Sequence, residues 1–205
     1  LKSTTAKAGF ADLNTFFSLS PIILIFLLPA ICIKSFSNEL KTGTIEILFS
    51  KPIKDIELVL GKFIGYLIIS IFNIIPTVIY FFGIYSLKDD SASIDIGSTI
   101  TSYLGLLLLS CSFISISIFS SVLSNNQITT FVISVFICFF LFFINEFTDF
   151  IADPKIYDFI NYIGIKEHYF SLNQGIISIK DISYFLALNY LFIYLSVVNL
   201  NRMKK

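Results

Sequence analysis

Charge is what this chain has least of. Only 14% of its 205 residues are charged, against about 25% in an ordinary soluble domain, and its 14 basic and 14 acidic residues cancel. Zero net charge gives no bulk attraction to nucleic acid or to an acidic lipid surface. Cysteine is scarce as well. Cys32, Cys111 and Cys138 sit singly inside apolar runs, and an odd number without short spacings excludes a disulfide framework or a metal site. They are expected as small packing residues within helices. The single histidine, His168, stands beside Glu167, which is poor ground for metal or proton chemistry. No Ser–His–Asp, Cys–His or paired-carboxylate set converges on one face, so no catalytic residue is assigned. A G-x-x-x-x-G-K-[ST] phosphate loop is missing too, because Gly61-Lys62 lacks the upstream glycine. No cofactor or metal is therefore expected on this chain. Its first residue is Leu1, without a signal-peptide pattern, which leads to the expectation of a further N-terminal segment.

What is present is oil. Hydrophobic residues make up 56% of the chain, with 24 Phe and 10 Tyr, and the mean hydropathy is +0.86. Spanning a bilayer takes about 20 apolar residues in a helix. Five segments qualify, at about 16–33, 63–85, 100–123, 128–145 and 182–200. None holds an internal Asp, Glu, Lys or Arg, each of which costs at least ~2.5 kcal/mol near the bilayer centre. Runs this long and continuous are helices rather than barrel strands. The expected fold class is therefore all-α, a polytopic membrane helix bundle forming one domain over 1–205.

Lysine placement gives an orientation. With the C-terminal tail in the cytoplasm, the segment 34–62, the turn 124–127 and the tail hold Lys34, Lys41, Lys51, Lys54, Lys62, Arg202, Lys204 and Lys205. The longer outside regions hold six lysines. The loop 146–181 then lies outside. Within it, Ile156, Phe159, Ile160 and Ile163 follow the i, i+3, i+4, i+7 spacing of one helix face. Asp153 suits the cap, Pro154 the first helical position and Gly164 the stop, giving a short helix at the outer surface. Ser98, Ser102, Gly105, Ser112, Ser117 and Ser121 mark the third span as a packing helix. Pro29 and Pro76 are expected to kink their helices. Asn73, Asn145 and Asn189 are expected to hydrogen-bond between helices.

The segment 37–62 interrupts the oil with polar residues. Its stretch TIEILFS, from Thr44 to Ser50, suits a helix of two turns with Thr44 as cap after a flexible Gly43, stopped by Lys51-Pro52. A further helix starts near Asp55 and runs into the second span. A short helix strapped between two spans suits either an interfacial helix on lipid or a docking knob for a soluble partner.

The run FSNELKTGTIEILFSKPIKDIELVLGK resembles the signature of ABC-2 type transporter permeases. Glu39, Gly43, Thr44, Glu46, Leu48 and Pro52 match its E-x-x-x-G-T-x-E-x-L-x-x-x-P pattern, and Gly61-Lys62 matches the entry of the next helix. HYFSLNQGIISIKDISYFL, before the last span, is similar to the permease of the gliding-motility ABC transporter of Bacteroidetes. Leu40, Lys54, Ser178 and Lys180 depart from that pattern. The resemblance covers essentially the whole chain. It implies a permease subunit in the bacterial inner membrane, with six spans in full. The short helix would be the coupling helix that fits a separate ATPase subunit, which carries ATP and magnesium. A second permease chain would complete the pathway. The alternatives are a secondary transporter or a non-transporting membrane scaffold subunit.

Overall fold

The computed structural model describes residues 3–86, 96–150 and 154–204. All regular structure in them is helical. The order is α1 (Ser3–Cys32), α2 (Ser37–Thr42), α3 (Ile45–Phe49), α4 (Asp55–Ser86), α5 (Ile96–Leu123), α6 (Gln127–Phe143), a 3-10 segment (Ile144–Phe150), α7 (Pro154–Ile163), α8 (Ile165–Asn173) and α9 (Ile179–Met203). Five of these helices (α1, α4, α5, α6 and α9) are long and apolar enough to cross a membrane. Helices α4, α5 and α9 contain their apolar segments and extend beyond them, while α1 and α6 stop at Cys32 and Phe143, one and two residues short of the expected ends; α4 starts at Asp55 as expected.

The long helices alternate in direction, which sorts the polar groups to two ends. At one end, here the basal end, Gln127 donates to the Asn38 side chain at 3.2 Å, Lys62 meets Glu39, and Lys204 meets Asp55. At the other, distal end, Ser102 donates to the Asn173 side chain at 2.8 Å, and His168 meets Asp181.

Helix α5 is the axis of the bundle. In its most apolar stretch 72% of the residues are buried, against 11% in α4, and it packs on α1, α4, α6, α8 and α9. The reason lies in its serines. Ser110, Ser112, Ser115, Ser117, Ser120 and Ser121 are buried, yet each hydroxyl donates to a carbonyl of its own helix one turn back. A hydroxyl satisfied in this way needs no outside partner, so the small side chain lets neighbouring backbones approach in lipid, where apolar burial drives little. Gly105 shows how close the fit is. A Cβ there would lie 3.2 Å from the Leu172 Cβ on α8.

Helix α8 is the main departure from expectation. The loop 146–181 holds a second helix beside the anticipated α7, and α8 is wedged into the bundle. Ile165, Tyr169 and Leu172 are fully buried. Helix α7 spans Pro154–Ile163 and stops before Gly164 as anticipated. Ile160 and Ile163 on its expected inner face are half-buried. Asp153 and the Ile156 and Phe159 side chains lie outside the described residues. Gly164 serves more than the stop, since a Cβ on it would fall 1.4 Å from the Asn145 side-chain oxygen. Asn145 bridges to Asn161 at 3.4 Å. The other two asparagines differ from expectation: Asn73 and Asn189 donate to Ile69 and Phe185 carbonyls of their own helices, because the carbonyl one turn back is nearer than any neighbour. The three cysteines are free; Cys32 and Cys138 are buried and Cys111 partly so.

Candidate coupling elbow and distal cluster

The polar segment 37–62 folds as an elbow. Helix α2 ends where Gly43 takes φ +72°, a left-handed conformation that glycine adopts freely and other residues do not. Its requirement is one of backbone alone, since nothing lies within 4 Å of a Cβ built there. Helix α3 then runs only Ile45–Phe49, shorter than the two turns expected. Thr44 precedes it with no side-chain cap. The physical reason is the backbone: Thr44 is itself helical at φ −68° and ψ −11°, whereas a capping residue is extended and so aims its oxygen at the first amides of the helix. Its hydroxyl instead lies 2.9 Å from that of Thr42, which donates to the Asn38 carbonyl.

The elbow is pinned to the bundle at three points. Glu39 on α2 accepts from the Lys62 ammonium on α4 at 2.6 Å. The same ammonium donates to the Ser35 carbonyl and lies 3.8 Å above the ring centroid of the buried Phe36. One lysine thus ties the exit of α1, the middle of α2 and the entry of α4. The second pin is Lys204 past α9, which pairs with Asp55 and stands over the Phe49 ring at 4.8 Å. The third is Ile45, whose side chain is buried. Beyond these pins the elbow faces outward. Lys41, Gly43, Thr44, Glu46 and Pro52 are exposed, and Leu48 is half-buried. Ile47 is 62% exposed.

Of the eight residues singled out by pattern, Glu39 and Lys62 are brought into contact. Gly43, Thr44, Glu46 and Pro52 share the exposed surface, while Leu48 turns partly inward. Gly61 faces open space beside Lys62. Phe36, Asp55 and Lys204 complete the arrangement and carried no pattern of their own. The adjacent lysine run at the tail was the only hint of Lys204.

The distal end gathers a second set. His168 Nδ1 lies 2.7 Å from an Asp181 carboxylate oxygen, and His168 Nε2 lies 3.1 Å from the Tyr162 carbonyl. Tyr184 stacks on the imidazole with ring centroids 4.0 Å apart and donates to the Ile163 carbonyl. Tyr162 and Ile163 end α7, so both carbonyls lack helical donors. His168 from α8 and Tyr184 from α9 supply them. Tyr169 does a similar service for α1. Pro21 has no N–H, which frees the Phe17 carbonyl four residues earlier, and the Tyr169 hydroxyl donates to it at 2.7 Å. His168, Asp181 and Tyr184 all belong to the HYFSLNQGIISIKDISYFL run. That motif encodes a buried joint among α7, α8 and α9.

Residues 2–203 match the family model described as ABC-2 family transporter protein. No curated protein matches the chain.

Proposed function

The chain belongs to the ABC-2 transporter family, as a multi-pass membrane permease subunit of an ABC transporter, and we propose that its α2–α3 elbow receives a separate ATP-hydrolysing subunit. ATP and magnesium act on that subunit. The observation that carries this reading is the Glu39–Lys62 pin together with the exposed Glu46 and Ile47 beyond it. A force on α3 passes through α2 into Lys62, and from there into both α1 and α4. A helix merely resting on lipid has no need of such a joint. The basal end then faces the cytoplasm, in keeping with its lysines, and the membrane is the bacterial inner membrane. A second permease chain completes the pathway. The likeness of 168–186 to gliding-motility permeases makes that process the one to examine.

Differential binding is the engine. ATP binding shifts the pathway only by the difference in affinity of the ATPase for two elbow positions. The test is co-purification of the ATPase with elbow variants. Gly43→Val forces a branched side chain into a left-handed backbone at ~1–2 kcal/mol, and Glu46→Lys inverts an exposed charge. Both should leave membrane insertion and expression intact while recovery of the ATPase falls severalfold. Undiminished recovery with the two combined would return the elbow to a lipid-surface role.

A further inference from the structure

Beside the elbow, a cavity of about 330 Å³ opens between the exit of α1 and the first turns of α4. Its rim is polar and its floor apolar. Lys34 on the rim is exposed, while Lys62 across from it is already paired with Glu39. Two lysines and one carboxylate leave the rim one positive charge in excess. Ser35 is 2% exposed and its side chain interacts with that of the half-buried Tyr66, which stands on the cavity wall. At the floor, Gly65 carries no Cβ and nothing stands within 4 Å of where one would be. The opening continues along α4 over the exposed Ile69 and Phe72.

We propose that this cavity binds an anionic glycerophospholipid from the leaflet at the basal end. The lipid phosphate takes the Lys34 ammonium and the Tyr66 hydroxyl. One acyl chain lies in the groove that Gly65 opens and follows Ile69 and Phe72 into the bilayer. A basic pocket between transmembrane helices at the level of the headgroups has the chemistry for such a ligand. The apolar continuation selects a lipid over a free anion, because Ile69 and Phe72 offer an acyl chain a surface that an inorganic anion cannot use. The occupied pocket would brace the exit of α1 against α4, beside the Lys62 pin.

The chain has no tryptophan, so one introduced indole is a unique reporter within it. Phe72→Trp places it ten residues beyond Lys62, ~15 Å along the helix, near the middle of an acyl chain held in the groove. Tyr194→Trp on α9, at a position 56% exposed, is the control. Each variant of the full chain is reconstituted in phosphatidylcholine vesicles with increasing fractions of phosphatidylglycerol brominated at mid-chain, and fluorescence quenching is read. The expected result is quenching in the Phe72→Trp variant beyond the mole fraction of brominated lipid, with about fivefold preference for the anionic lipid, the equivalent of ~1 kcal/mol for one basic contact. Adding Lys34→Ala to that variant should abolish the preference, and adding Lys34→Arg should keep it. The Tyr194→Trp control should show none. Equal quenching by brominated phosphatidylcholine, an equal preference in the control, or a preference that survives Lys34→Ala would overturn the proposal. So would loss of the preference on adding inorganic phosphate, which would assign the rim to a free anion.

Discussion

The two ends of the bundle differ in how their innermost polar pairs are held, while the distal end also carries the exposed Lys166–Glu146 pair. At the distal end His168 and Asp181 are 2% and 5% exposed, packed under a tyrosine ring and bonded to helix ends. At the basal end the pairs Glu39–Lys62 and Asp55–Lys204 keep at least one partner a fifth or more exposed. A buried pair is strong only as a set, since removing one member leaves the other uncompensated. A half-exposed pair is replaced by water at small cost. The His168–Asp181 joint therefore favours one arrangement, and the basal pairs cost less to rearrange. An element that must move on a partner's instruction belongs at the end with the small penalties.

The largest effect that follows is at Asp181. Asp181→Ala leaves His168 buried without its acceptor and frees the imidazole from the α7 carbonyl, so stability should fall by ~3 kcal/mol. Thermal unfolding of the purified protein in detergent measures it. A loss no larger than that of a basal pair would break the contrast between the two ends. Tyr169→Phe comes next. It removes one hydroxyl and strands the Phe17 carbonyl released by Pro21, an expected loss of ~1–2 kcal/mol in the same unfolding measurement. Pairing it with Pro21→Ala sharpens the point. If the restored N–H takes over the carbonyl, the double variant should lose less than the sum of the two single changes, so the deficit from additivity reports the joint directly.

These distal joints show where the sequence is silent. The five long helices were legible because an apolar run of that length has one use, and α7 because its spacing is helical on one face. Gly43 was legible as a turn, as φ +72° bears out. Helix α8 was not. IKEHYFSLN is short and mixed in polarity; it is buried by packing on α5, where Gly105 makes room for Leu172, and its histidine is held by Asp181 on another helix, thirteen residues on. A lone histidine has no periodicity to betray its partner. The missing Thr44 cap has a similar origin on a smaller scale: once Gly43 has turned the chain, Thr44 is helical rather than extended, and its hydroxyl meets Thr42 instead of the α3 amides. On the elbow, the pattern marked Glu39 and Lys62 separately, but their contact arises only when α2 folds back on α4. Spans follow from composition; joints depend on which distant residues the fold brings together.

The Glu39–Lys62 pin should lie between the extremes. Its side chains are 26% and 21% exposed, so a double-mutant cycle with Glu39→Gln and Lys62→Met should give a coupling of ~1 kcal/mol. Each single change should also uncouple ATPase binding from transport more than it lowers the unfolding temperature. A coupling near zero would show that the ammonium is held by the Ser35 carbonyl and the Phe36 ring rather than by Glu39.

The smallest effect is expected at Lys204. Its ammonium is about a third exposed while its partner Asp55 is buried, so removing the lysine strands a carboxylate that sits in the first turn of α4. The positive end of that helix compensates part of the lost charge, and water reaches the rest through the space the lysine leaves. Lys204→Ala should therefore cost ~0.5 kcal/mol or less at moderate ionic strength. Salt separates this from a buried pair. Screening at about 1 M shortens the reach of exposed charges to ~3 Å, so the difference between the parent chain and Lys204→Ala should vanish there, whereas that for Asp181→Ala should persist. A salt-independent loss at Lys204 as large as the one at Asp181 would mean that the basal end is locked as firmly as the distal one, and the elbow could not then be the moving part.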